Sequence, residues 1–219
     1  MMGFAIACCV SGAVLITIAA VIGRAASGTL TGILIDTRGR YSLSQFQIVL
    51  WTTVVLSMVS GLFFARLFSG VENALSFQIP EELLLVMGIS IAGTATAMAI
   101  KAGKDTMRPK NVAVSDTAHP ARFAQIFLYE EGEFADKVID LTKYQNFWIT
   151  IILVVSYIAT VIDDAREVSS IDAFQLPTFT DPFVVLLGIT HAGYLAGKLP
   201  NPAGNPDVSV ADRRLSLPP

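Results

Sequence analysis

The sequence predicts an all-α transmembrane protein, a five-helix bundle made of one N-terminal helix plus a parallel duplication of a two-helix hairpin. Three observations carry that expectation. Of the 219 residues, 53% are hydrophobic and only 15% charged, whereas soluble domains average about a quarter charged. Five apolar runs, residues 3–22, 48–68, 83–100, 147–162 and 183–199, approach the roughly 20 residues that a spanning helix needs. The fourth is short by that standard, and either extends back through Tyr144 or sits where the bilayer is locally thin. Finally, SLSQFQIVLWTTVVLS at 42–57 returns in weaker form as DLTKYQNFWITIILVVS at 140–156. Each copy leads through an acidic, proline-marked loop into a second apolar helix.

These patterns divide the chain into an N-terminal helix and connection (1–32), a first hairpin repeat (33–101), a cytoplasmic linker (102–126), a second hairpin repeat (127–199) and a Pro-rich tail (200–219). Thirteen of the fifteen basic residues fall on one side of the predicted spans, among them Arg24, Arg38, Arg40, Lys101, Lys104, Lys143 and Lys198. The opposite connections are acidic, with only Arg66 and Arg166 as cations. Basic loops stay cytoplasmic, so the N-terminus is expected outside and the C-terminus inside, in a multi-pass protein of a bacterial inner membrane. Cys8 and Cys9 are adjacent within the first apolar run, so neither a disulfide framework nor a metal site is implied. With no basic residue before Cys8, a lipoprotein signal is disfavoured.

Within the first repeat, Ser42 and Gln45 have the spacing of a capping box; in the second, Asp140 takes the capping place and Lys143 replaces the glutamine. Gln47 aligns with Gln145 as paired polar groups inside the cytoplasmic boundary, where interhelical hydrogen bonds are modest, about 0.6 kcal/mol on average. Trp51 and Trp148 suit an interfacial aromatic belt. Phe77 to Pro80 matches Phe174 to Pro177, and a proline at that place starts the next helix without loss, since its missing amide would be unpaired anyway.

The second helices carry small residues at four-residue spacing: Gly88 with Ala92, Gly93 with Ala97, Gly188 with Ala192, and Gly193 with Gly197. Such rows let helix backbones approach closely. Arg38 and Arg40 are expected at the membrane surface, and Lys101 and Lys198 are expected to snorkel to cytoplasmic headgroups. Between the repeats, the acidic patch Glu130, Glu131, Glu133 and Asp136 is either a docking surface or a solvated face. The tail cannot build a core.

The pattern GRYSLSQFQIVLWT, then LLLVMGISIAG, then LLGITHAGYLAGK resembles a group of uncharacterised bacterial membrane proteins built from tandem two-helix repeats. The similarity covers residues 33–199, with Lys-Tyr-Gln-Asn-Phe-Trp where the group more often has an aliphatic residue before Trp. It implies the fold and a bacterial origin, and no mechanism.

Parallel repeats occur in transporters, and a pathway would need Gln47, Ser90, Gln145, Thr190 and His191 to face a common cavity. His191 is the only ionisable group near a span centre, and its repeat equivalent is Ile91. Its readings are a hydrogen-bond partner, a proton relay or a weak cofactor-ligand candidate. His119 lies in the polar linker, so no clustered catalytic set is evident, and neither an enzyme, a metal site nor a cofactor is expected. A charge-balanced linker does not suit nucleic acid. The expected function is a non-catalytic membrane subunit, a scaffold or accessory protein, with lipids and other membrane-protein subunits as partners. A homo-oligomer and a small channel or transporter are the alternatives.

Overall fold

The computed structural model describes residues 2–106, 114, 120–132 and 134–199. His119, Glu133, most of the first half of the linker and the tail from 200 to 219 lie outside the described residues. The described chain is all-helical: α1 (Met2–Ser27), α2 (Leu43–Phe68), α3 (Glu81–Thr106), α4 (Leu141–Glu167) and α5 (Asp181–Lys198), with two short 3-10 turns at Gly32–Leu34 and Phe123–Phe127. Helices α1 to α4 are long and apolar enough to cross a membrane, which makes this a membrane protein.

The fifth helix of the expected bundle is present and is the shortest of the five. Helix α5 has 18 residues, about 27 Å at 1.5 Å per residue, and Asp181, Thr190, His191 and Lys198 dilute its apolar run. It is not among the helices that meet the length and hydropathy of a span. Helix α4, expected to be the short one, extends back to Leu141 and reaches 27 residues.

Four helices form the core in the order α2, α3, α5, α4 around the bundle, and α1 lies along the outside of α2. Glycine sets that last contact. An ideal Cβ on Gly61 would stand 2.9 Å from the Cys8 Cα, and one on Gly12 would stand 3.1 Å from the Ser57 hydroxyl. The backbones of α1 and α2 therefore approach as close as small residues allow. Most of α1 is otherwise exposed, including Ile6, Val10, Val14 and Ile18. Phe4, near its start, is buried against Phe174, ring centroids 4.9 Å apart.

Burial along α2 and α4 follows one pattern. Ser44 and Lys143, Gln47 and Asn146, Trp51 and Thr150, Val54 and Leu153, and Leu62 and Val161 occupy matching inward places. Along α3 and α5, Ser90 matches Leu187, Thr94 matches His191, and Lys101 matches Lys198. Both first helices are entered through similar local geometry: a 3-10 turn, an isolated antiparallel bridge (Ile35 with Tyr41, Leu128 with Ile139) and a polar residue before the helix. The polar residue works differently in the two. The Asp140 carboxylate accepts from the Thr142 and Lys143 amides, as expected. Ser42 makes no side-chain cap, and the Gln45 side-chain oxygen is buried without a partner among the described residues, so the expected capping box is not formed.

At the opposite end, Pro80 directly precedes α3 and its carbonyl accepts from Leu83 and Leu84. The corresponding proline of α5 is Pro182, inside the first turn, rather than Pro177. Arg66 is 2% exposed and donates to the carbonyls of Asp172 and Phe174, both at 3.0 Å, which ties the loop before α5 to the end of α2. The Gln78 amide donates to the Gln175 side chain at 3.1 Å.

Candidate functional site

The most concentrated chemistry lies at the end of the bundle where α2 and α4 begin and α3 and α5 finish. Residues 120–132 and 134–140 fold back across these helix ends and place Glu130 among three ammonium groups. Glu130 accepts from Lys143 at 2.8 Å and Lys198 at 2.7 Å, and Lys101 lies 2.9 Å away. Lys101 also bonds Asp36. Arg38 is paired with Asp105 at 2.6 Å and Glu131 at 2.9 Å, Lys104 with Glu131 at 2.8 Å, and Arg40 with Asp136. Cations from four segments thus close on acids from three. Burial alone would raise the Glu130 pKa; Lys143, Lys198 and Lys101 outweigh it and hold the carboxyl well below its usual range. For Arg38, burial works to lower the pKa, and the bonds to Asp105 and Glu131 reverse this and raise it.

This network corrects the expected membrane-surface role of Arg38, Arg40, Lys101 and Lys198. Their exposures are 5%, 1%, 7% and 9%, so none is free to reach a headgroup. The physical reason is proximity: Glu130, Glu131 and Asp136, anticipated as a docking or solvated face, are brought onto the helix ends, and a buried cation needs a paired anion. Equivalent placement of Lys101 and Lys198 at the two helix ends was the available sequence signal for one shared partner.

One to two turns deeper lies a polar layer. Gln47 donates to Asn146 at 3.1 Å and Thr150 at 2.7 Å, all three buried. Its partner is therefore Asn146 and not Gln145, which is exposed. The Ser44 and Tyr194 hydroxyls lie 3.0 Å apart, reaching from α2 to α5. The Thr94 hydroxyl sits 3.1 Å from the Ser44 carbonyl and 2.8 Å from the Ser90 carbonyl. His191 bonds the Leu187 carbonyl through Nδ1 at 3.1 Å, and its ring covers Gly93, where an ideal Cβ would meet the His191 Cδ2 at 2.9 Å. Thr190 bonds back to the same carbonyl at 3.0 Å. Of the anticipated polar set, Gln47, Ser90, Thr190 and His191 are thus interior and Gln145 is not. Trp51, expected in the aromatic belt, is 1% exposed inside the bundle, whereas Trp148 is 45% exposed.

The small-residue rows divide as well. Gly93 and Ala97 are buried, and Gly188 touches Ile89. Gly88, Ala92, Ala192, Gly193 and Gly197 are exposed, and nothing stands within 4 Å of a Cβ built on Gly88 or Gly193. Beyond the polar layer the interior is mainly apolar, filled by Leu83, Val86, Leu153 and Leu187, with the Trp51 Nε1 and the Tyr157 hydroxyl buried there without a hydrogen-bond partner among the described residues.

Among the described residues, no three His, Cys, Asp or Glu side chains converge on a metal position. Comparison with protein-family models, with curated proteins and with solved structures finds no match.

Proposed function

We propose that the chain is a non-catalytic integral membrane subunit, a scaffold or accessory protein that packs against other membrane helices in a larger complex. The division of its small-residue rows carries this reading. Gly93 and Ala97 are consumed inside the bundle, whereas Gly88, Ala92, Ala192 and Gly193 face outward. Close-approach rows that the chain does not use itself suit helices of another subunit. The interior favours the same reading over a channel: Leu83, Val86, Leu153 and Leu187 are each no more than 2% exposed and fill the space between the two hairpins.

The matched burial of the two hairpins supports a parallel duplication, with both units entering from the ionic end. Segregation of basic residues to that end supports a cytoplasmic C-terminus and an external N-terminus, and the resemblance to tandem-hairpin proteins supports a bacterial inner membrane. Native mass spectrometry after gentle solubilisation from the source membrane tests the function. Co-purification with other chains at fixed stoichiometry is the expected result. A homo-oligomer alone would favour the channel reading, and a monomer with a hydrated path through the whole bundle would overturn the subunit.

A further inference from the structure

We propose that the 3-10 turn at Phe123–Phe127 sits in the headgroup layer of the membrane, with the Phe123 ring among the upper acyl chains. The occupant of its outer face is lipid, whether or not the chain belongs to a larger complex. The turn has two unlike faces. Gln125 and Ile126 are directed into the bundle, 3% and 0% exposed, and Gln125 donates to Asp136 at 3.2 Å. Phe123 is 48% exposed, and its phenyl ring carries no polar atom to offer water.

Ring contacts fix where the turn lies. Phe127 packs on Phe147 of α4, centroids 4.9 Å apart, and on Tyr144 at 6.2 Å. Phe123 packs on Phe46 of α2 at 6.4 Å and on Tyr41, just before that helix, at 5.9 Å. Phe46 and Phe147 stack on each other at 5.3 Å. The turn therefore rests against the α2–α4 pair at the level of Phe46 and Tyr144.

That level is the edge of the hydrocarbon, and both helices measure it. Along α4 the exposed residues Leu141, Tyr144, Trp148, Ile152, Val155 and Ile162 form one apolar stripe, ended by the exposed Asp163. From Leu141 to Ile162 the stripe covers about 32 Å at 1.5 Å per residue, against about 30 Å for the hydrocarbon core of a bilayer. Along α2 the run from Phe46 carries no charge until Arg66, a stretch of about 30 Å. Tyr144 and Trp148, the amphipathic aromatics of the stripe, favour the interface at this depth. The lipid-facing surface of α4 is continuous with Phe127 and Phe123, so a bilayer that covers the stripe also covers the turn. Lipid then holds from outside the same segment whose Glu130 three lysines hold from inside.

The test is electron paramagnetic resonance on the full-length chain in lipid vesicles, with a nitroxide on Phe123→Cys in a background of Cys8→Ser and Cys9→Ser. Labels on Ile152→Cys and Glu167→Cys give the lipid and aqueous references. The ratio of collisions with oxygen, which concentrates in lipid, to collisions with a water-soluble nickel chelate should be severalfold higher at 123 than at 167, approaching that at 152. A ratio at 123 equal to that at 167 overturns the proposal. So does a label reached by neither agent, because protein rather than lipid then covers the face. Phe123→Trp keeps an aromatic ring in place and gives an independent reading. The emission it adds to that of Trp51 and Trp148 should be quenched by phospholipids brominated near the top of the acyl chain; quenching by aqueous iodide alone overturns the placement.

Discussion

Lys101, near the end of α3, and Lys198, the last residue of α5, occupy matching places, and both hold the same carboxylate, Glu130, at 2.9 and 2.7 Å. One acid therefore joins the ends of the two hairpins, with Lys143 of α4 as a third donor at 2.8 Å. Replacing it by Glu130→Gln leaves three buried ammonium groups short of an anion. The expected loss is about 3 kcal/mol, as for breaking other buried ion pairs, measured by thermal or denaturant unfolding in a mild detergent.

The same carboxylate sets an acid limb of stability. Its pKa in the folded protein is held well below the usual range, against about 4.3 when unfolded. Stabilisation from Glu130 is then complete above the unfolded value and is lost as pH falls through the folded one. Melting temperature should show no Glu130-dependent change between about pH 7 and 5, with a decline beginning near pH 4. The decline should be shallower in Glu130→Gln.

The packing of α1 on α2 has a covalent test. An ideal Cβ on Gly12 lies 3.8 Å from the Ser57 Cβ, which is the mean Cβ separation of a disulfide, about 3.8 Å. With Cys8→Ser and Cys9→Ser to remove competing thiols, the pair Gly12→Cys and Ser57→Cys should oxidise to an intramolecular bond. A faster-migrating band on a non-reducing gel, abolished by reductant, is the readout.

Gln47 serves Asn146 and Thr150 together. Gln47→Leu should cost about 1–3 kcal/mol, since it strands buried polar partners. Adding Asn146→Leu should recover part of that loss, with a coupling of about 1 kcal/mol between the two sites. Unfolding of both single variants and the double variant measures it; strict additivity would count against the pairing.

At the other end, Arg66 donates to two carbonyls through Nη2 and its guanidinium lies over Phe77, 5.4 Å from the ring centroid. Arg66→Ala should cost about 2 kcal/mol, the range for charged hydrogen bonds, and should speed proteolysis between residues 168 and 180. Arg66→Lys should recover only part, because an ammonium lacks the planar face that lies over Phe77.

Long-range composition was legible in the sequence because helices and spans follow from local hydrophobic runs. The four long helices and the hairpin order needed nothing else. Register was harder: matching Gln47 to Gln145 by identity misses the buried partner by one residue, since inward position follows the 3.6-residue turn rather than residue type. The rows at Gly88 and Gly93 were visible as rows, but spacing alone does not say which one faces the interior. Least legible was the ionic network. Asp36, Lys101, Glu130, Lys143 and Lys198 belong to separate segments, and only the folded loop at 120–140 brings them together.

That dispersion has a consequence for biosynthesis. Glu130 is made after α3 but long before Lys198, which is the final residue of α5. During vectorial synthesis its carboxylate meets Lys101 and Lys143 first and stays accessible from the side where α5 will dock. Arrival of the last helix supplies the remaining cation and closes the knot. Ribosome-stalled chains truncated before Lys198 should therefore lack one of the three ammonium partners of Glu130 and leave the second hairpin incompletely fastened.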